Sequence, residues 1–228
     1  MAVIDIKKTR LYIRDGSAPT AQTNTLTDAH VLGYTGDIAY SGTGVLSPGL
    51  QVTIGAHSYF ILSVGTGTFK LTSPLLAAFE ASASMSSQLY TNQVKLKIGT
   101  GNLTYSEKRN VDYLLDAGKI DEVRFGDEVP MDVSVDCMWM EYVSGQVAMD
   151  DAFSGTGTAS AWVSADTVDA CRPFAVDLVF AYDPICGVRQ PFQIVLPDFR
   201  WESKDFNIRA GTFSVKGKCN AKTAILTQ

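Results

Sequence analysis

Along residues 131–143 apolar and polar side chains alternate: Val133, Val135, Cys137, Trp139 and Val143 fall on one side, and Asp132, Ser134 and Asp136 on the other. Successive side chains of a strand point to opposite faces, so this period of two predicts a long strand that buries one face and wets the other. Similar short runs at 10–14, 51–54, 59–64, 68–72, 93–98, 102–105, 122–125, 174–182, 192–196 and 211–220 are separated by Gly, Pro, Asp or Asn. That spacing predicts a mainly β chain, an antiparallel sandwich or barrel. Helix is scarce, with one or two short helices expected. Pro74 opens a candidate at 74–83, where Leu75, Leu76, Phe79 and Ala83 would share a face, and a second runs over 146–153 before a Ser-Gly-Thr-Gly turn.

Residues 17–47 are rich in Thr, Ser, Gly and Ala and carry few strand signals, which predicts a long surface loop leading to hairpins that end near 72. With no strong core of its own, this part reads as an extended arm or small hairpin lobe. The chain is thus expected to be a single β domain over 1–228, with 15–92 an elaborated loop and hairpin region and 93–228 the core. Gly-Thr-Gly recurs at 42, 65, 99 and 155 with unrelated flanks, so these are turns and not a repeat.

A net charge of −5 argues against a protein that holds nucleic acid by neutralising phosphates. No apolar run approaches the roughly 20 residues of a membrane-spanning helix, and 1–8 lacks the order of a signal peptide, so synthesis in the cytoplasm without membrane contact is expected. Cys137, Cys171, Cys186 and Cys219 are dispersed and far from His30 and His57, which predicts reduced, mostly buried thiols and no metal centre, with disulfides formed after release from the cytosol, between neighbouring subunits among them, as the alternative. Two histidines and no nucleophile elbow leave little for acid–base or covalent catalysis, so no enzyme and no cofactor are expected. The one concentration is acidic: eleven of the 24 Asp and Glu lie between 111 and 151, which marks this stretch as a solvated or channel-lining surface.

The run from Gly101-Asn-Leu-Thr-Tyr through Tyr113-Leu-Leu-Asp to Phe125-Gly-Asp-Glu-Val-Pro-Met-Asp-Val resembles bacteriophage tail tube (major tail) proteins. The blocks Ala161-Trp-Val-Ser-Ala-Asp, Cys171-Arg-Pro-Phe-Ala-Val-Asp-Leu and Ile208-Arg-Ala-Gly-Thr-Phe-Ser-Val-Lys-Gly-Lys-Cys are similar in type and order, and together they span about 95–222. The resemblance implies a β-sandwich whose inner sheets close into a ring-shaped barrel when six copies assemble. Rings would stack into a virion tail tube, assembled in the host cytoplasm, that conducts DNA during ejection without binding it specifically. It also implies tape measure, tail terminator and baseplate partners, with a sheath protein in contractile tails.

On that reading Asp132, Ser134 and Asp136 face an electronegative lumen. The clearest basic cluster, Arg209, Lys216, Lys218 and Lys222, is then the candidate for contacts between subunits, and an ion-pair seam between trio and cluster is the competing account. At least one terminus is expected to dock on a neighbour. The alternative function is a β-sandwich binding module of a virion or host-surface recognition protein, carbohydrate-binding, with Trp139, Trp162 and Trp201 as exposed platforms in place of a buried Trp139.

Overall fold

The computed structural model describes residues 9–47, 50–96, 103–116, 119–138, 146–166, 171–182, 192–221 and 223–227. Strand β1 (Thr9–Arg14) leads into a closed six-stranded barrel of β2 (Thr20–Leu26), β3 (Asp37–Gly42), β4 (Gln51–Ile54), β5 (His57–Val64), β6 (Thr68–Leu71) and β7 (Ser84–Leu89). The chain returns beside β1 as β8 (Gln93–Leu96) and continues through β9 (Leu103–Ser106), the hairpin β10 (Val111–Asp116) and β11 (Lys119–Phe125), and β12 (Met131–Met138). Helix α1 (Met149–Ser154) precedes β13 (Val176–Tyr182), β14 (Phe192–Asn207), β15 (Thr212–Cys219) and β16 (Ile225–Thr227). Eight strands form one antiparallel sheet in the order β8-β1-β13-β14-β15-β12-β9, with β16 joined to β14.

The alternation that predicts β12 and β15 also sets the sheet's inner face. Val133, Val135, Phe213 and Val215 point inward with Leu11, Ile13, Leu178, Leu196 and Phe199, and the apolar side of α1 fills the space they enclose. Met149, Ala152 and Phe153 form that side, and Phe153 lies 5.9 Å, centroid to centroid, from both Phe199 and Phe213. Gly155 at φ 62° ends the helix, a left-handed conformation that glycine adopts without strain. The helix therefore starts three residues later than the sequence predicts and runs one residue further. Strand β14 is far longer than the predicted 192–196, because its first half pairs with β13 and its second with β15. A register shift between Trp201 and Ser203 bends it within the second half.

Where the sequence predicts a loop over 17–47, the structure has β2 and β3 of the barrel. Nor does the region lack a core: Leu26, Ile38, Val52, Ile54, Tyr59, Ile61, Phe69 and Met85 fill the barrel interior as a cluster separate from that of the sheet. The expected extended arm is thereby corrected to a closed body. No helix forms at 74–83. The Leu75 N–H donates to the Tyr34 carbonyl, the Leu76 N–H to the Tyr59 hydroxyl, and Phe79 exchanges both backbone bonds with His30. These partners replace the bonds four residues apart that a helix needs, and buried Leu75 joins the barrel core.

The barrel packs on the sheet's outer face. Phe60, which points out of the barrel, meets Tyr12, Val179, Ala181 and Val195 of β1, β13 and β14. The remaining outer face, on β15, β12 and β9, is left uncovered by the barrel. Residues 225–227 pair with β14 of their own sheet, so this part of the C-terminal segment is held within its own chain and is not released toward a neighbour.

Candidate functional site

Asp132, Ser134 and Asp136 share the outward face of β12, with Met131, Val133, Val135 and Cys137 buried between them. Their cross-strand partners on β15 are Lys218, Lys216 and Ser214 respectively. Opposite residues on one face of an antiparallel pair lie within side-chain reach, so the trio meets two of the four basic candidates inside a single chain. The Ser214 hydroxyl donates to Asp136 Oδ1. Asp132 Oδ2 accepts a bond of 2.5 Å from Lys108 Nζ, and Lys218 Nζ lies 3.1 Å from Glu202 Oε1 on β14. The bond from Lys108, helped by the charges of Lys108 and Lys218, holds the Asp132 carboxyl below the usual carboxylate range.

The face is therefore a mosaic of both signs and not a uniformly acidic surface. Its charges alternate by strand, acid on β12 beside base on β15, as expected where like charges directly opposite would be unfavourable. Arg209 is not part of it: it lies exposed in the turn joining β14 to β15, next to Ile208, which is 92% exposed. Lys222 lies outside the described residues, as do Trp139 and Cys186. Lys108 and Glu202 complete the mosaic, and no short-range pattern in the sequence marks either.

Beside this face the chain builds a feature that sequence reasoning missed. The β10–β11 hairpin pairs with no other strand among the described residues, and a bond from the Gly126 N–H to the Asn110 carbonyl closes its base. Tyr113, Leu114, Leu115, Val123 and Phe125 are exposed on it, Phe125 to 83%. Three consecutive apolar residues in a short strand put apolar side chains on both of its faces, and this is the signal that was present in Tyr113-Leu-Leu. The projecting arm expected within 17–72 thus lies at 111–125 instead.

The thiols and imidazoles sit apart from both features. Burial pushes the thiols of Cys137 and Cys219 up to about 12, so neither ionises near neutrality, whereas Cys171 is exposed and departs from the expected burial. His30 is buried in the barrel, stacked at 4.5 Å on Tyr34. Among the described residues no three His, Cys, Asp or Glu converge as metal ligands, and no helix is long and apolar enough to cross a membrane. Trp162 is buried. Trp201 is partly exposed, but Lys204 Nζ caps its ring at 4.3 Å, so neither indole offers an open platform.

No family model, curated protein or solved structure matches the chain.

Proposed function

We propose that the chain is a structural subunit of a phage tail tube, without a catalytic site, whose copies close into hexameric rings that stack around a DNA-conducting lumen. The observation that carries this reading is the β10–β11 hairpin. An arm that exposes five large apolar side chains gains from burial against another molecule, and large exposed apolar patches mark interaction surfaces. The hairpin lies within the stretch that resembles tail tube proteins. The sheet adds a second support: strands β8 and β9 end it without a further partner among the described residues, and open edges of this kind pair when copies come together. In the ring the mosaic face of β12, β15 and β9 lines the lumen, where Asp132, Asp136 and Glu202 offset Lys108, Lys216 and Lys218 and leave no surplus of positive charge to hold phosphate.

Negative-stain microscopy of purified chain tests this. Rings or stacked tubes are expected, and monodisperse monomers at every concentration would overturn it. The double variant Asp132→Asn, Asp136→Asn should still form tubes, because both carboxylates are met within their own chain. Loss of tubes in that variant would instead place the trio at a seam between subunits.

A further inference from the structure

Where the barrel meets the sheet, it leaves a cleft of about 610 Å³. That volume lies within the roughly 300–1,000 Å³ of small-molecule sites. Strand register fixes which side chains face it. On the sheet, Arg14 of β1 stands opposite Gln93 of β8 and Tyr12 opposite Lys95, so these four share the face on which Phe60 of the barrel packs. On the barrel, Thr53 and Ser58 alternate with buried Val52, Ile54 and Tyr59 and therefore point outward, toward the sheet. Among the described residues the lining holds two cations, Arg14 and Lys95, and no Asp or Glu.

Arg14 is the group that packing leaves unfinished. It is only 8% exposed, its guanidinium stacks on the Tyr90 ring at 3.7 Å, and its Nε donates to Gln93 Oε1 at 3.3 Å. The donors of a guanidinium lie in its plane, so stacking occupies the face and leaves the edge available. On that edge Nη1 and Nη2 meet no acceptor among the described residues, and neither is sealed from solvent, so they open on the cleft. Neighbouring carboxylates do not answer them. Asp177, opposite Arg14 on β13, forms no ion pair with it, and its Oδ1 accepts the Asp198 N–H. Asp15, next in the chain, is taken up by Ser17, Asn92 and the Val163 N–H. Loss of hydration on burial pulls Arg14 below its ordinary pKa, and a cation so buried is costly until an anion meets it.

We propose that this cleft binds the phosphate group of a small phosphorylated ligand, with Arg14 as the paired donor and Lys95 as the second charge. Two parallel N–H bonds from Nη1 and Nη2 match two oxygens of one phosphate. Lys95 is diagonal to Arg14 across the β1–β8 pair and on the same face, a spacing of about 7–8 Å that long side chains span. Two cations in a lining without acids suit a dianion better than a single carboxylate, and an apolar ligand would leave the guanidinium edge unmet. The inference does not rest on tube assembly, because the site lies wholly within one chain.

Titration calorimetry on the intact chain at low ionic strength, with inorganic phosphate and acetate as probes, tests it. Phosphate is expected to bind at least about tenfold more tightly than acetate, the scale of one further charge-assisted bond. Arg14→Gln should abolish phosphate binding, and Lys95→Gln should weaken it about fivefold or more. Arg14→Gln also removes the stacking on Tyr90, so its fold is checked by thermal melting, and Lys95→Gln decides the matter if that variant does not fold. Lys218→Gln, on the mosaic face, should leave phosphate binding unchanged. The proposal fails if phosphate does not bind the wild-type chain, if acetate binds as tightly, if Lys95→Gln binds phosphate unchanged, or if Lys218→Gln weakens it as much as Lys95→Gln does. Rings seen by microscopy in a chain that fails these titrations would leave the tail-tube reading standing and remove this one alone.

Discussion

Asp177 and Asp198 meet through a bond of 3.1 Å from the Asp198 N–H to Asp177 Oδ1, and loss of hydration on burial holds both carboxyls above the ordinary carboxylate range. The folded chain thus holds their protons more tightly than the unfolded chain does. Their contribution to stability grows as pH falls from neutrality through their folded pKa values, and levels off near the unfolded value of about 3.9. Asp132 and Asp151 work in the opposite direction, because hydrogen bonds from Lys108 and Thr158 hold them low, and what they contribute is lost only below that same unfolded value. Between about pH 4.5 and 7 the raised pair therefore stands clear of the lowered pair. Asp177→Asn should flatten the rise in melting temperature on acidification across this window. Parallel curves for variant and wild type would show that Asp177 does not carry it. The shifts at Asp132, Asp177 and Asp198 were not legible beforehand, since they depend on which parts of the chain become neighbours, whereas the one at Asp151 comes from Thr158 seven residues on.

At the level of elements, the β10–β11 hairpin separates folding from assembly. Its exposed side chains belong to no core cluster, so Leu115→Ser with Phe125→Ser should leave the fold and melting temperature unchanged. The same pair should raise the concentration needed for half-assembly about tenfold or more, the scale expected when anchors of an interface are removed. Analytical ultracentrifugation measures this, and unchanged association would take the hairpin out of the interface. Legibility varied by element for a physical reason. Strands β12 and β15 carry apolar residues on one face only, so their period shows in the sequence. Strand β2, Thr-Ala-Gln-Thr-Asn-Thr-Leu, buries Asn24 where a strand usually buries an apolar residue, and that side chain bonds both backbone groups of Gly44. A Cβ on Gly42 would stand 2.4 Å from Asn24 Oδ1, so a glycine that reads as a turn also makes room for a buried amide. Strand β7, Ser-Met-Ser-Ser-Gln-Leu, hides its period in the same way. The trio on β12 was legible as a face, but its basic partners were not, because the pairing of β12 with β15 spans a long stretch of chain.

For the whole molecule, the decisive fact is that β1 and β8 are hydrogen-bonded neighbours, with Arg14 opposite Gln93, although the entire barrel lies between them in sequence. The barrel has its own core, and its first and last strands, β2 and β7, pair from Thr20 opposite Leu89. Residues 17–91, carrying Phe60→Ser to remove the apolar contact with the sheet, should fold alone and melt cooperatively. A fragment with collapsed amide dispersion and a gradual melt would show that the barrel depends on the sheet. The same arrangement bears on the order of events as the chain folds. Joining β1 to β8 directly closes a loop of roughly eighty residues, whereas a barrel that has already formed brings its two ends together and leaves a loop about a tenth as long. That shortening is worth about 2 kcal/mol of closure entropy, so the fastest route forms the insertion first and zips the parent sheet second. A substitution confined to the barrel interior would then slow the appearance of the sheet while touching none of its strands.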